Sequence, residues 1–278
     1  MRLECFILDF DGTFTLVDRE AVPFLEGFRA GLAELLGAPV DAAWARIQAR
    51  VEADPDRFGW EDGGRIVAPS HADPYIMATT VGQLVLRELG GYEDPAARRR
   101  ALDGLYAANY PRAATVFRPD ARAVVEAILR TGRPVYVVTN SMTVHVKAKL
   151  DELAPEGAER LTVRGDARKF VVADPEAEDP RFDALPDQVH LEGLGRPIFV
   201  RRGRYFDALR AIWDETGTGP ERTLVCGDIF ELDLAMPAKL GATIHMVGRP
   251  GTPDYERRAV EQAGGTLTED LSGVLDYL

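Results

Sequence analysis

The chain has 278 residues, 46% hydrophobic and 28% charged, a balance that permits a large buried core and excludes a disordered, collagen-like or coiled-coil protein. Its formal net charge of -12 gives no electrostatic basis for binding nucleic acid or an anionic membrane surface, so a small molecule is the expected partner. The length fits one large domain or two of unequal size, of which two is expected, and it leaves the oligomeric state open.

Short apolar runs that end in small or acidic residues recur along the chain and predict strands covered on both faces. They are LECFILDFDG, RPVYVVTNS, RTLVCGD and ATIHMVG. Helical patterns alternate with them, over 119–132, from VVTNS to Leu153, and after GD until Gly241. This alternation predicts an α/β fold with a Rossmann-like parallel sheet.

Between the first two strands lies a long block in which apolar residues recur at helical spacing. Helices are predicted near 22–36, 42–51, 74–89 and 95–110, and no strand pattern is evident. The sequence 58–64 is expected to be an exposed loop. We therefore predict a core domain of residues 1–15 and 115–278 and a second, smaller, all-helical domain of residues 16–114.

Residues 161–204 have an irregular pattern that interrupts the core domain. Two short runs in it, Lys169–Val172 and Pro197–Arg201, are predicted to pair as a β-hairpin.

The two cysteines and the N-terminal residues indicate the compartment. Cys5 and Cys226 each lie within an apolar run, as expected of buried thiols in a reducing environment. The N-terminal run MRLECFILDFDGT carries acidic residues within and beside its apolar stretch, unlike a signal peptide or a membrane span. A cytoplasmic protein is expected.

Acidic side chains follow two of the predicted strands. Asp9 and Asp11 are two residues apart where the first strand ends, so their side chains begin on one face. Asp228 follows the strand RTLVCG, and Asp233 comes about one helical turn later. Because ligands of open parallel sheets bind outside the carboxyl ends of the strands, one crevice can hold all four.

The expected crevice combines a cation site with an anion site. Four crowded carboxylates repel each other unless a cation neutralises them, and an all-oxygen ligand set suits Mg²⁺. Thr139 and Ser141, with the main-chain N–H groups that follow Asn140 at the start of a helix, can bind phosphate. Phosphoryl transfer is the predicted chemistry, with a carboxylate as nucleophile.

FILDFDGT, VVTNS and GDIFELD, in this order and at these separations, resemble the signature motifs of the haloacid dehalogenase superfamily over nearly the whole chain. The resemblance implies that Asp9 is nucleophile and metal ligand. Asp11 would be general acid and base, with its carbonyl on the metal, and Thr139 would donate to a phosphoryl oxygen. Asp228 would bind Mg²⁺, Asp233 would support the metal shell, and the helical block would be a cap.

The superfamily also uses a basic residue at the phosphoryl group, and this chain lacks the usual lysine before a proline. Lys169, Arg201 and Arg202 are the candidates, and we favour Lys169 with Arg202 beside it.

These features predict a Mg²⁺-dependent phosphatase that hydrolyses a small phosphorylated metabolite through an aspartyl-phosphate. A dehalogenase is disfavoured because such members lack an acid at the position of Asp11. The alternatives are a phosphomutase or phosphotransferase of the same superfamily, and a non-catalytic binding protein on this scaffold. The last would be expected to have a broken first motif, and the motif is intact here.

Overall fold

A computed structural model describes residues 2–90 and 92–278 of the chain. They form two compact units: one contains the described residues of Met1–Leu16 and Phe117–Leu278, the other those of Val17–Val116. Among the described residues, no helix combines the length and apolar character needed to cross a membrane.

The strands, numbered along the chain, are β1 (Cys5–Leu8), β2 (Gly59–Asp62), β3 (Arg65–Pro69), β4 (Val135–Val138), β5 (Leu161–Arg164), β6 (Gln188–His190), β7 (Pro197–Phe199), β8 (Thr223–Gly227), β9 (Thr243–Val247) and β10 (Thr266–Thr268). The helices are α1 (Val17–Glu20), α2 (Val22–Leu36), α3 (Asp41–Ala53), α4 (Pro74–Leu89), α5 (Pro95–Asn109), α6 (Ala121–Arg130), α7 (Thr143–Leu153), α8 (Pro180–Asp183), α9 (Gly203–Thr216), α10 (Ala235–Lys239) and α11 (Asp254–Gln262).

The first unit is built on the predicted parallel sheet, with strands in the order β10-β9-β8-β1-β4-β5. In the centre, Ile7 of β1 aligns with Tyr136 of β4 on one side and Val225 of β8 on the other. The chain order reverses beside β1, so the carboxyl end of this strand lies at the switch point where such sheets bind ligands.

Both faces of the sheet are covered, which explains the continuous apolar runs of its strands. Successive residues of β1 point to opposite faces: Ile7 belongs to one buried cluster, and Phe6 and Leu8 belong to the other. The strand is therefore apolar throughout, and its polar residues begin only where it ends.

The second unit has its own helical core, and it also contains strands that the sequence did not predict. Residues from α2, α3 and α4, among them Phe28, Trp44 and Val81, form a separate buried cluster. The predicted exposed loop at 58–64 is instead most of a hairpin, with β2 paired antiparallel to β3. Gly63 and Gly64 turn the chain with φ of 55° and 76°, the positive values that two-residue hairpin turns require. The prediction of helices alone was wrong here.

The predicted hairpin in the irregular segment of the core exists with a different first arm. Its second arm, β7, pairs antiparallel with β6, so that Val189 aligns with Ile198. The predicted first arm, Lys169–Val172, lies outside the strands and includes a turn. The run Gln188–His190 is short and only its central residue is half-buried, so it has no apolar pattern to identify it.

Candidate active site

Three buried carboxylates meet at the carboxyl ends of the central strands. Asp9 follows β1, Asp228 follows β8, and Asp233 lies in a π-helical turn, Phe230–Leu234, that leads into α10. Each offers an oxygen within 4.8 Å of the others. Asp9, Asp228 and Asp233 are only 8%, 4% and 3% exposed, respectively.

Two glycines allow this close approach. A Cβ atom on Gly12 would overlap the carboxylate of Asp228, and one on Gly227 would lie 2.5 Å from Cβ of Asp233. Gly12 also has a φ of 82°, which favours glycine on conformational grounds. The G of DFDG and the G of CGD are therefore required by packing around the cluster.

Lys169 supplies a cation inside the cluster. Its Nζ donates to Oδ1 of Asp9 at 2.7 Å and to Oδ1 of Asp233 at 2.8 Å, and the residue is 1% exposed. Burial by itself lowers the pKa of Lys169, but Asp233 and Asp9 outweigh burial and raise the pKa above its ordinary value. The lysine is therefore a permanent ammonium among the carboxylates.

The carboxyl group of Asp9 has a raised pKa. Burial raises its pKa to about 7; Lys169 opposes this rise and Asp233 reinforces it. A carboxylate in such surroundings is stabilised by any further positive charge that binds beside it.

The carboxylate of Asp11 is not a member of the three-carboxylate cluster, but its charge contributes to the raised pKa of Asp9. Its Oδ2 accepts from Oγ of Ser141 at 2.6 Å, and its Oδ1 accepts from Nζ of Lys149 at 3.1 Å. With 28% of its side chain exposed, Asp11 keeps contact with solvent. Lys149, on α7, was not predicted from the sequence.

The loop after β4 lies beside the lysine. Thr139 is buried, and its Oγ1 accepts from the main-chain N–H of Ser141 at 3.1 Å. Asn140 accepts the main-chain N–H of Lys169 with its Oδ1 at 2.7 Å. The predicted phosphate-binding loop and the loop of Lys169 are thus joined directly.

The three basic candidates have different surroundings. Lys169 contacts the carboxylates. Arg201 pairs with Asp174 at 3.1 Å. Arg202 donates to main-chain carbonyls, including that of Lys169. These bonds hold the guanidinium of Arg202 on main-chain carbonyls. The structure therefore does not support the predicted contact of Arg202 with a phosphoryl group.

Two further buried arginines hold the loops of the site, and sequence reasoning missed both. Arg118 donates to the carbonyl of Gly12 from Nε at 3.0 Å and from Nη2 at 2.8 Å. Arg249 donates from Nη1 to the carbonyl of Asp228, and its Nη2 lies 2.8 Å from the carboxylate of Glu256. Because every residue has a carbonyl, such acceptors leave no signal in the sequence.

The donor set fits a hard divalent cation. Asp9, Asp228 and Asp233 carry three negative charges when ionised, and the ammonium of Lys169 balances one of them. The remaining negative charge is buried, and carboxylate oxygens are the ligands that Mg²⁺ prefers.

No family profile and no curated protein sequence matches this chain. Solved structures do match. A predicted phosphoglycolate phosphatase from Haemophilus somnus is 12% identical and superposes with a TM-score of 0.56 over 99% of this chain and 98% of the other. A provisionally named beta-phosphoglucomutase from Thermotoga maritima is 14% identical, with a TM-score of 0.55 over 99% and 100% of the two chains.

A third match, a provisionally named HAD-hydrolase from Bacillus subtilis bound to magnesium, is 13% identical, with a TM-score of 0.52 over 99% of this chain and 98% of the other. The chain adopts the haloacid dehalogenase-like fold. A 2-haloacid dehalogenase from Pseudomonas syringae, 15% identical with a TM-score of 0.50 over 99% of this chain and 97% of the other, is also among the matching structures. The choice of reaction therefore depends on the residues of the site.

Proposed function

We propose that this protein is a cytoplasmic, Mg²⁺-dependent phosphatase that hydrolyses a small phosphorylated metabolite through an aspartyl-phosphate on Asp9. The observation that carries the proposal is the ammonium of Lys169, bonded to Asp9 and Asp233 in a cluster completed by Asp228. A buried cation and a carboxylate-rich metal site, side by side, suit a substrate that is itself a dianion.

Two of the similar structures support a magnesium-dependent phosphatase. One of them is named a phosphoglycolate phosphatase and another is bound to magnesium. In this chain, Asp11 provides a partly exposed carboxyl group two residues after Asp9, at a position suited to proton transfer.

Asp9, Asp228 and Asp233 would hold the metal ion. When bound, Mg²⁺ supplies charge neutralisation between the carboxylates and the phosphoryl oxygens. The ammonium of Lys169 adds a second, fixed positive charge in a site where burial strengthens electrostatic interactions.

The chemical step uses two carboxyl groups of the first motif. An oxygen of Asp9 attacks the phosphorus as the bond to the ester oxygen breaks, and Asp11 gives its proton to that oxygen. Asp11 then takes a proton from water, whose oxygen attacks the phosphorus. The bond from phosphorus to Asp9 breaks, and inorganic phosphate leaves with the original carboxylate restored.

Asp9→Asn tests the nucleophile. We expect the variant to lose more than about 10³-fold in kcat on a generic aryl phosphate with Mg²⁺, because an amide oxygen is a poor nucleophile. Asp151→Asn, an exposed acid of α7, is the matched control and should keep full activity. Wild-type turnover that survives in Asp9→Asn rules out the aspartyl-phosphate. A wild-type protein that turns over no member of a broad phosphate-ester panel supports the non-catalytic alternative.

Metal binding is tested separately by thermal unfolding. Mg²⁺ at 100 times its Kd should stabilise the wild type by about 2.7 kcal/mol, because it binds only the folded chain. Asp228→Asn should lose most of this stabilisation, and Asp151→Asn should retain it. An equal Mg²⁺-induced rise in Tm for Asp228→Asn and wild type would place the ion elsewhere.

A phosphomutase or phosphotransferase is the second candidate, and the similarity to a structure named as a beta-phosphoglucomutase favours it. The two reactions differ in whether water or a second hydroxyl group receives the phosphoryl group. Release of inorganic phosphate in step with loss of substrate supports the phosphatase. Conversion of a sugar phosphate to its isomer without phosphate release supports the mutase.

A further inference from the structure

The loop that carries Lys169 has an unfavourable local conformation. Residues 165–169 follow β5, and both Asp166 and Arg168 have left-handed backbone angles, with φ of 54° and 46°. Residues other than glycine seldom adopt these angles, and they persist where surrounding contacts impose them. The position of the lysine therefore depends on contacts from other parts of the chain.

One side of this loop is bonded to the loop after β4. Asp166 donates its main-chain N–H to the carbonyl of Ser141 at 2.9 Å, and Ala167 donates to the carbonyl of Thr139 at 2.9 Å. The main-chain N–H of Lys169 donates to Oδ1 of Asn140 at 2.7 Å. These bonds position the main chain that leads up to Lys169, including its own N–H group.

Arg202 holds the other side. Its Nη1 donates to the carbonyl of Lys169 at 2.7 Å, and its Nε donates to the carbonyl of Phe199 at 2.9 Å. The side chain is completely buried. One planar guanidinium thus links the loop of Lys169 to the end of β7.

Arg202 is itself held in place. It directly precedes α9, and the next residue, Gly203, donates its N–H to the carbonyl of Ala173 at 2.8 Å. Nη2 of Arg202 lies 3.8 Å from the carboxylate of Glu231, which is buried and also accepts two hydrogen bonds from Arg196, at 3.0 and 2.7 Å. Since Glu231 keeps its two bonds to Arg196, removing Arg202 does not leave this carboxylate uncompensated.

We propose that Arg202 is a positioning residue for Lys169: by bonding the carbonyl of Lys169, it fixes the ammonium between Asp9 and Asp233. The kinetic part of this proposal rests on the proposed phosphatase activity. The structural part, coupling between Arg202 and Lys169, does not.

The length of the lysine side chain makes the position of its ammonium sensitive to the main chain. Its ammonium lies at the end of four methylene groups, so a small movement of the main chain moves the charge away from two carboxylate oxygens at once. Misplacement of a reacting group by about 1 Å can cost about 10²-fold in rate. We expect Arg202→Met to lower kcat about 10- to 100-fold, and Arg202→Lys, which keeps a donor for the carbonyl, to recover part of the loss.

A double-mutant cycle in kcat tests whether Arg202 acts through Lys169. Arg202→Met is made in the wild type and in Lys169→Met, and single-turnover rates on an aryl phosphate with Mg²⁺ are compared. A loss in the wild type that shrinks below about threefold in Lys169→Met supports the proposal. An equal loss in both backgrounds overturns it. The control is Arg204→Met, an exposed arginine two residues away, which should leave kcat unchanged.

The same double-mutant cycle, measured in Tm without substrate or metal, tests the coupling between Arg202 and Lys169 independently of activity. If the two residues are coupled, the Tm of the double variant should fall by several degrees less than the sum of the two single-variant decreases. Additive decreases in Tm overturn the proposal. If the wild type has no turnover, the proposed phosphatase fails and the Tm cycle alone decides. If Arg202→Met does not fold, Arg202→Lys replaces it in both cycles.

Discussion

Single residues determine how closely the carboxylates of this site can approach each other. Gly12 has no Cβ to displace Asp228, and Lys169 places its ammonium between Asp9 and Asp233. Without the lysine, ionised Asp9 and Asp233 would face each other in a buried site, where unpaired charge is costly.

Gly12→Ala tests the packing requirement at this scale. The new methyl group would overlap the carboxylate of Asp228, so we expect Mg²⁺ affinity to fall about 10- to 100-fold. The matched control is Gly132→Ala, which has a similar positive φ of 72° and open space around the new methyl group. Both variants should lose about 1 kcal/mol of stability from the backbone conformation. Titrations of Mg²⁺ that give both variants the same affinity would contradict the expectation.

Three buried arginines, each distant in sequence from the residue that it bonds, hold the loops of the site. Arg118, Arg202 and Arg249 each donate to a main-chain carbonyl of a different loop of the site, those of Gly12, Lys169 and Asp228. A hydrogen bond from a charged donor is stronger than one between neutral groups. This arrangement orders the irregular backbone of the site through its main-chain carbonyls.

The edge of the sheet contains a buried histidine with a pH-dependent contribution to stability. His245 of β9 contacts the hydroxyls of Thr266 and Thr268 of β10 at 2.7 and 3.0 Å. Burial lowers its pKa to about 4. Because the unfolded chain binds this proton at about pH 6.5, acidification from pH 6.5 to pH 4 favours the unfolded state by up to about 3 kcal/mol.

Comparison with His245→Gln isolates this effect from other titrating groups. The free energy of unfolding should fall more steeply for the wild type than for the variant as the pH drops from 6.5 to 4, and urea titrations at each pH measure it. Parallel pH profiles for the two proteins would show that His245 does not contribute.

At the scale of the whole molecule, the chain contains two units with separate cores. The unit Val17–Val116 buries its own cluster around Phe28, Trp44 and Val81. A domain of about 100 residues with such a core is large enough to fold alone.

We expect a fragment of residues 17–116 to unfold cooperatively on heating, as followed by circular dichroism. Phe28→Ala should lower its stability by about 3–5 kcal/mol, because the ring is fully buried. Leu35→Ala, at a position that is 40% exposed, should have a much smaller effect. A fragment that melts without a cooperative transition would show that this core depends on the rest of the chain.

The sequence predicted the centre of the first unit well because the chemistry there is local. β1, β4, β8 and β9 are mostly apolar, because both faces of the sheet are covered, and polar residues follow β1, β4 and β8 directly at their carboxyl ends. By contrast, β6 has no apolar alternation, and the two glycines that turn the chain between β2 and β3 are equally typical of an exposed loop. β2 and β6 bury little, so little of their pairing is encoded in their composition.

By itself, the sequence determined the α/β class of the fold and the positions of Asp9, Asp228 and Asp233 at strand ends or in the turn that follows. It did so because strand burial and the parallel sheet bring these positions to one edge. The tertiary structure decided which cation joins them and what holds it, since Lys169, Arg118, Arg202 and Arg249 act over separations of tens to more than a hundred residues. Their acceptors are carbonyls and distant carboxylates, whose proximity depends on the folded chain and leaves no pattern along it.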